Sequence, residues 1–478
     1  MNVSYMSFEM KKISLKQFDP SYWAILFSLF VVIYVNFQYS VWESNNRVIV
    51  SDVRLYYAYL PATFILNDIK LDFIKKGEKK LGEGFWVKKS PTGNYSIIYS
   101  CGMAILYLPF FVVAHFSAEV LGYPTDGFSV PYRFALVMSS IFYMMLGAVF
   151  LRKFLINYFS QIVVGLTLVI IILSTNLLYY VSLEAPMTHA YSFGLIAVFL
   201  YKIDTWIDHP SAKSTIILGL LVGIISLIRP TNIVIVIFFA LWKTTTWSGL
   251  TERILSLLKE WKYLILMLAM SVIIWLPQII YWKYVTGSYF YYSYPDDQGF
   301  FFLNPQLFNT LFSWRKGFFI YTPVMIFAIV GIGCLYKNRK YFFWPVLIYT
   351  LITWYIISSW WSWWYGGSFG LRPFIDSYAV FSIGLAAFLT WLIKTKWIPR
   401  LILSSLFILL TSLSVWNFLK YYGGSIHWVA MTKEAYTDSF WQKHPTAEFY
   451  KKIRFPDDKL ARKGIYKYAD ETKDTLVK

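Results

Sequence analysis

Long apolar runs alternate with short polar segments along most of this chain. Clear runs cover 22–40, 132–151, 161–181, 188–204, 262–283, 317–335, 341–357, 376–393 and 398–417. Each is long enough to cross a bilayer as a helix. The stretch 215–242 is also apolar but is interrupted by Arg229-Pro230. Proline removes a backbone donor and disfavours helix in the residue before it, so this stretch predicts two short helices meeting at a membrane face. The pattern is that of an all-α polytopic membrane protein with about 11 transmembrane helices.

The basic residues between the runs set an orientation. Lys11, Lys12 and Lys16 precede the first run; Arg152-Lys153, Lys202 with Lys213, Lys243 to Lys262, Lys337 to Lys340 and Lys394 to Arg400 follow others. The positive-inside bias makes these loops cytoplasmic. The remaining loops then share the outer side: 182–187, Arg229-Pro230, 284–316, 358–375 and the tail. One segment breaks the parity. Residues 97–118 are apolar enough to span, yet a crossing there would flip every later basic loop. They are therefore expected to be re-entrant or interfacial, with irregular backbone tolerated where protein buries it. The expected layout is a cytoplasmic N-terminus over 1–21 and a transmembrane domain over 22–417. Its long first outer loop covers 41–131, and a small outer cap covers 418–478. Tyr22 to Tyr39 reads as a retained span, because no small-residue cleavage site follows it.

Composition supports the class and removes others. Hydrophobic residues make up 57% of the 478 residues and charged residues only 15%, well below the quarter usual in soluble domains. The net charge of +18 would suit nucleic acid, but its clustering in loops makes it topological, and no nucleic-acid partner is expected. Cys101 and Cys334 both lie in apolar segments and offer neither a metal motif nor a structural disulfide. Phosphate-binding glycine loops, zincin helices and nucleophile elbows are absent from the sequence.

The unusual polar residues gather on the outer side. Asp52, with Tyr56 and Tyr57, lies in SDVRLYYAYLPATFI; Glu184 and His189 in SLEAPMTHAYSF; Arg229 in SLIRPTN; Arg315 and Lys316 in SWRKGFFIYTP; Arg372 in WYGGSFGLRPFIDSY. Charges at span ends are costly unless paired or functional. The planar fork of arginine matches phosphate, and a carboxylate beside an acceptor hydroxyl can take its proton. Asp52 and Glu184 are the candidate catalytic acids. Tyr56, Tyr57, Lys88, Lys89, His189, Arg229, Arg315 and Arg372 are the candidate substrate-binding residues. Local readings stand beside these: Asp52 as a helix N-cap, Glu184 or His189 as a cap, Arg229 as an interfacial anchor. Asp296-Asp297 reads first as a turn and His427 as a structural contact. The aromatic run SSWWSWWYGG fits an interfacial belt or a sugar-lined wall equally.

These segments, with YSIIYSCGMAILYLPFF, resemble in content and order the integral-membrane glycosyltransferases of the C superfamily. The nearest resemblance is to bacterial, Bacteroidetes-type members of the protein mannosyltransferase and aminoarabinose transferase group (glycosyltransferase family 39-like). It covers roughly residues 20–420. It implies an inverting transfer, in the periplasm, of a hexosyl or pentosyl group from a polyprenyl-phosphate donor to a glycan, lipid or protein acceptor. The enzyme would be a multi-pass protein of the bacterial inner membrane. The first-loop acid of the family falls on Asp52, the second-loop acid on Glu184, and the lipid-phosphate-contacting base on Arg229. Many members carry an Asp-Glu pair where this chain has Asp52-Val53. No cofactor is therefore assigned, no metal ligand is named, and a divalent cation is left open. A lipid-linked-sugar flippase and an envelope polysaccharide polymerase or ligase are the alternative readings.

Overall fold

The computed structural model describes residues 19–82 and 85–469; Lys11, Lys12 and Lys16, and the end of the tail, lie outside them. The chain forms an all-α bundle of a multi-pass membrane protein. Its principal helices are α1 (Pro20–Tyr39), α2 (Ser51–Tyr57), α3 (Gly102–Val120), α4 (Val130–Leu155), α5 (Gln161–Leu173), α6 (Thr188–Asp208) and α7 (Ala212–Ile228). They continue as α8 (Trp247–Lys259), α9 (Trp261–Thr286), α10 (Ile326–Asn338), α11 (Lys340–Ser359), α12 (Tyr378–Lys394) and α13 (Trp397–Gly423). Among the described residues, eight helices are long and apolar enough to cross a membrane, and shorter apolar helices accompany them.

Local chemistry explains the ends. Asp19 caps α1 by accepting from the backbone N–H of Ser21 at 3.0 Å and of Tyr22 at 3.2 Å, and Pro20 occupies the first turn, where its missing N–H costs nothing. Arg152, at the end of α4, pairs with the same Asp19. The runs expected at 161–181 and 317–335 are each interrupted. α5 stops before Ser174-Thr175-Asn176, and helix resumes over Leu177–Ser182; Pro323 splits the second run into Phe318–Tyr321 and a 3-10 turn ahead of α10. The polar side chains at 174–176 and the proline both compete with the helical ladder.

α4 and α6 run parallel in the core. Ser139 meets Tyr191 through their hydroxyls, Gly147 faces Gly194, and Phe150 packs on Tyr201. A Cβ on Gly147 would lie 2.7 Å from the Gly194 Cα, so the two backbones touch only because both residues lack a side chain. α5 returns the chain between them. One end of the bundle therefore collects Asp19, Arg152 and Asp208. The other, called here the site end, collects residues 182–188, the end of α7 and the start of α12.

α3 departs from its neighbours. Its first residue, Gly102, lies against the backbone of Leu227 and Ile228 at the end of α7. Its last turns pack on the start of α4, with the His115 Nδ1 and Tyr132 hydroxyl 2.5 Å apart. Both ends of this helix thus belong to the site end. The region 41–131 also holds a feature absent from an all-helical expectation, an antiparallel hairpin of β1 (Val87–Lys89) and β2 (Tyr95–Ile97). Its turn closes at Gly93 with φ +82°.

Residues 424–469 fold over the site end. Trp361, Trp363 and Trp364 from the loop before Arg372 form a separate apolar cluster with Val429, Ala430 and Ala461 of this cap.

Candidate active site

Two arginine–aspartate pairs stand side by side at the site end. α2 begins at Ser51, so Asp52 lies in its first turn, but its side chain does not cap the helix. Its Oδ2 accepts from Arg372 Nη2 at 2.8 Å and its Oδ1 from the Tyr99 hydroxyl at 3.0 Å. The Tyr99 ring stacks on Tyr56, with centroids 4.5 Å apart and planes at 21°, and Tyr294 closes the edge. The second pair centres on Asp376, which is 2% exposed. It accepts from His189 Nδ1 at 2.8 Å, Arg229 Nη1 at 3.1 Å and Asn232 Nδ2 at 3.0 Å. Arg372 and Asp376 share one 3-10 turn, Arg372–Ser377, set by Pro373. That turn joins the two pairs into one constellation.

The electrostatics agree. Burial pushes the Tyr56 phenol well above its ordinary range; Asp52 pushes it further, while Arg229 and Arg372 oppose. Tyr294 and Tyr365 are raised by burial in the same way and feel the same two arginines. These phenols therefore remain protonated donors. Glu184, between the helix ending at Ser182 and α6, is half-buried with its Oε1 3.3 Å from the Tyr179 hydroxyl. Burial raises its carboxyl toward the protonated acid, and Arg372 and Lys316 oppose that shift. Neither Glu184 nor His189 caps α6, whose N-cap is Met187 with no side-chain bond.

Arg229 lies next to a groove. Arg229 is the break after α7, in extended conformation, and a 3-10 turn from Pro230 to Val236 follows. Beside this break an apolar cavity of about 580 Å³ opens between α7 and α9, lined by Ser226, Pro230, Ile233, Met267, Trp275 and Phe290 among others. The Trp275 indole N–H donates to Ser226 Oγ at 3.0 Å, so the polar groups in its wall are satisfied internally.

Several expected site residues are placed elsewhere. The Tyr57 hydroxyl donates to the Gly127 carbonyl at 2.6 Å and its ring packs against α3, because on a helix adjacent residues point about 100° apart and only Tyr56 shares the Asp52 side. Lys88 is held by the carbonyls of Tyr292 and Tyr294 and by Asp296 at 2.6 Å. It pins the loop that carries Tyr294 and does not reach the pairs; Lys89 alternates to the exposed face of β1. Arg315 lies between the rings of Trp364 and Tyr468, 5.2 and 5.0 Å from their centroids. Lys316 is 1% exposed. Its Nζ donates to the Ser368 and Trp428 carbonyls, tying the loop before Arg372 to the cap. Asp297 pairs with Arg462 at 2.8 Å, and His427 Nδ1 accepts from the Val429 and Ala430 amides; both are structural. Among the described residues no group of three His, Cys, Asp or Glu is placed to hold a metal ion.

Asp376, Asn232, Tyr99 and Tyr294 were not singled out from the sequence. Asp376 had a signal: it is the acid four residues after Arg372, at the start of an otherwise apolar run.

The role of Lys316 has a direct test. Lys316→Met keeps the stem and removes the amino group, leaving the Ser368 carbonyl without its donor and the Trp428 carbonyl with only the Ser368 amide. The variant is expected to lose about 1–3 kcal/mol of stability, read as a lower thermal midpoint in detergent. An unchanged midpoint would show that the tryptophan cluster and the Ser368–Trp428 backbone bond hold the loop and cap without Lys316.

Fold and site together define a multi-pass, all-α membrane protein with a paired-charge site at one end of its bundle. No family model and no curated protein matches the chain. It is similar in structure to the oligosaccharyltransferase AglB from Archaeoglobus fulgidus, solved in complex with an inhibitory peptide and a dolichol-phosphate. The TM-score is 0.47 at 13% identity over 90% of this chain and 60% of that one. The apo form of an oligosaccharyltransferase from the same organism gives a TM-score of 0.47 at 14% identity with the same coverage. This chain thus spans 60% of the length of the structures it matches.

Proposed function

We propose that this protein transfers a sugar from a polyprenyl-phosphate donor to an acceptor hydroxyl at the site end of the bundle. One observation carries the reading: the Asp52–Arg372 and Asp376–Arg229 pairs are joined through one turn, and Arg229 sits between Ser226 and Pro230 in the chain, both in the wall of an apolar groove between α7 and α9. A groove open along membrane helices suits a prenyl chain, and two arginine forks at its end suit the phosphate that the chain carries.

In this reading the acceptor oxygen attacks the anomeric carbon from the face opposite the phosphate. The bond from carbon to phosphate oxygen breaks, and its electron pair stays on the phosphate, where Arg229 and Arg372 stabilise it. The acceptor proton passes to Asp52. Each Asp52 oxygen receives one hydrogen bond, so each retains a lone pair for the incoming hydroxyl. The anomeric configuration inverts. Glu184, beside the Tyr179 hydroxyl, is the second acid of the site and would hydrogen-bond a substrate hydroxyl. The site end would face the periplasm of a bacterial inner membrane, as in the family 39-like transferases that the sequence resembles.

The test is transfer in nanodiscs from a panel of polyprenyl-phosphate hexoses and pentoses. Arg229→Gln removes one charge-assisted contact, worth about 1.5–3 kcal/mol. The KM for the active donor is expected to rise by roughly 10-fold or more, with a smaller change for the acceptor. An unchanged donor KM would remove Arg229 from the phosphate site, and a panel with no active donor would reject the transferase reading.

A further inference from the structure

The amphipathic helix α8 has no described role, and its chemistry specifies a partner. None of its residues is buried. Trp247, Ile254, Leu255 and Leu258 project outward, with Trp247 85%, Leu255 54% and Leu258 58% exposed. At 100° per residue these four positions share one side, and Glu252, Ser256 and Lys259 fall on the other. An isolated apolar stripe of this kind is unstable in water.

Its location explains what covers it. Lys243, just before α8, pairs with Asp204 at 3.4 Å and Asp208 at 2.7 Å, at the last turn of α6. The paired-charge site lies at the first turn of the same helix. The 21 residues of α6 span about 30 Å, close to the hydrocarbon thickness of a bilayer. α8 is therefore at the opposite membrane surface from the site. Only Glu260 separates it from α9, whose outward residues Trp261, Ile265 and Leu268 are equally exposed. The apolar stripe of α8 thus continues without a break into the bilayer-facing side of a candidate span. Lys243 is taken up by Asp204 and Asp208, and around the helix itself Arg253, Lys259 and Lys262 stand against Glu252 and Glu260.

We infer that α8 is an in-plane membrane helix, seated in the headgroup region of the leaflet opposite the site and selective for anionic lipid. Amphipathic helices of this composition lie about 5–10 Å into that region. Through Glu260 the helix fixes the depth of α9, and α9 supplies Leu264, Met267 and Leu268 to the wall of the apolar groove. The inference does not depend on the transferase reading.

The experiment uses the full chain in a Cys334→Ser background, reconstituted in nanodiscs. A fluorophore is placed at Leu255→Cys or, on the polar side, at Ser256→Cys, and quenched by doxyl-labelled lipid. Quenching at 255 is expected to exceed that at 256 by at least about twofold. Equal quenching at both sites would overturn the proposal. So would a label at 255 that is shielded from water but not quenched by lipid, which would mark a protein partner or a second copy. In nanodiscs of mixed phosphatidylglycerol and phosphatidylcholine, native mass spectrometry should show anionic lipid retained. Lys259→Gln with Lys262→Gln should reduce that retention by roughly fivefold per charge; unchanged retention would overturn the lipid selectivity.

Discussion

Asp52→Asn is expected to abolish sugar transfer while the protein still folds. The substitution keeps the shape of the side chain, and its amide oxygen can still accept from Tyr99 or Arg372. It removes the charge that takes the acceptor proton. General-base contributions of this kind amount to about 10²–10⁴ in rate, so turnover should fall by that factor at saturating donor. The ion pair with Arg372 is also lost. Both side chains are 15% exposed, so solvent partly compensates, and the stability cost should stay below the roughly 3–5 kcal/mol seen when a fully buried pair is broken. Initial rates in nanodiscs and thermal melting of the same preparation separate the two effects. Transfer at the wild-type rate would eliminate Asp52 as the base.

Asp376→Leu should be the most destabilising single change at the site. Asp376 accepts from His189, Arg229 and Asn232, so a leucine strands three donors, one of them a full charge. Arg229 is 19% exposed, so solvent screens part of its charge, and the cost should stay within the roughly 3–5 kcal/mol of an uncompensated buried charge; the melting midpoint should drop by several degrees. Asp376→Asn retains one acceptor and should fall between the two. Because Arg229 loses the partner that aims it, Asp376→Asn should also raise the donor KM more than it changes the acceptor KM. A leucine variant that melts with the wild type would mean that Arg229 finds another anion, and the two-pair description of the site would be wrong.

The helices and the site were legible from the sequence to different degrees. Apolar runs gave most helix positions because a membrane helix satisfies its backbone within its own segment. The break at Arg229-Pro230 was legible for the same local reason: a proline acts on its immediate neighbours. The residue kinds at the site were legible too, since a charge at a span end is conspicuous. What each charge meets was not. Tyr56 and Tyr57 are adjacent and alike, yet one stacks in the site and the other bonds Gly127. Lys88 looked free to steer an anion and instead carries the loop of Tyr294. Arg315 and Lys316 looked like site cations and serve the cap. Tyr99 lay within a segment noted for its hydrophobicity and its family resemblance, with no residue of it singled out.

The sequence by itself determined the class, most of the helical segments and the set of acids and arginines from which a site could be built. Those are properties of short windows: hydropathy, charge and proline act over a few residues. The tertiary structure alone decided that Asp52 pairs with Arg372, that Asp376 gathers Arg229 and His189, and that one turn joins the two pairs. Each of these contacts joins residues far apart in the chain. Their geometry depends on the summed packing of parallel and antiparallel helices, such as the glycine contact between α4 and α6, and no local pattern encodes that sum.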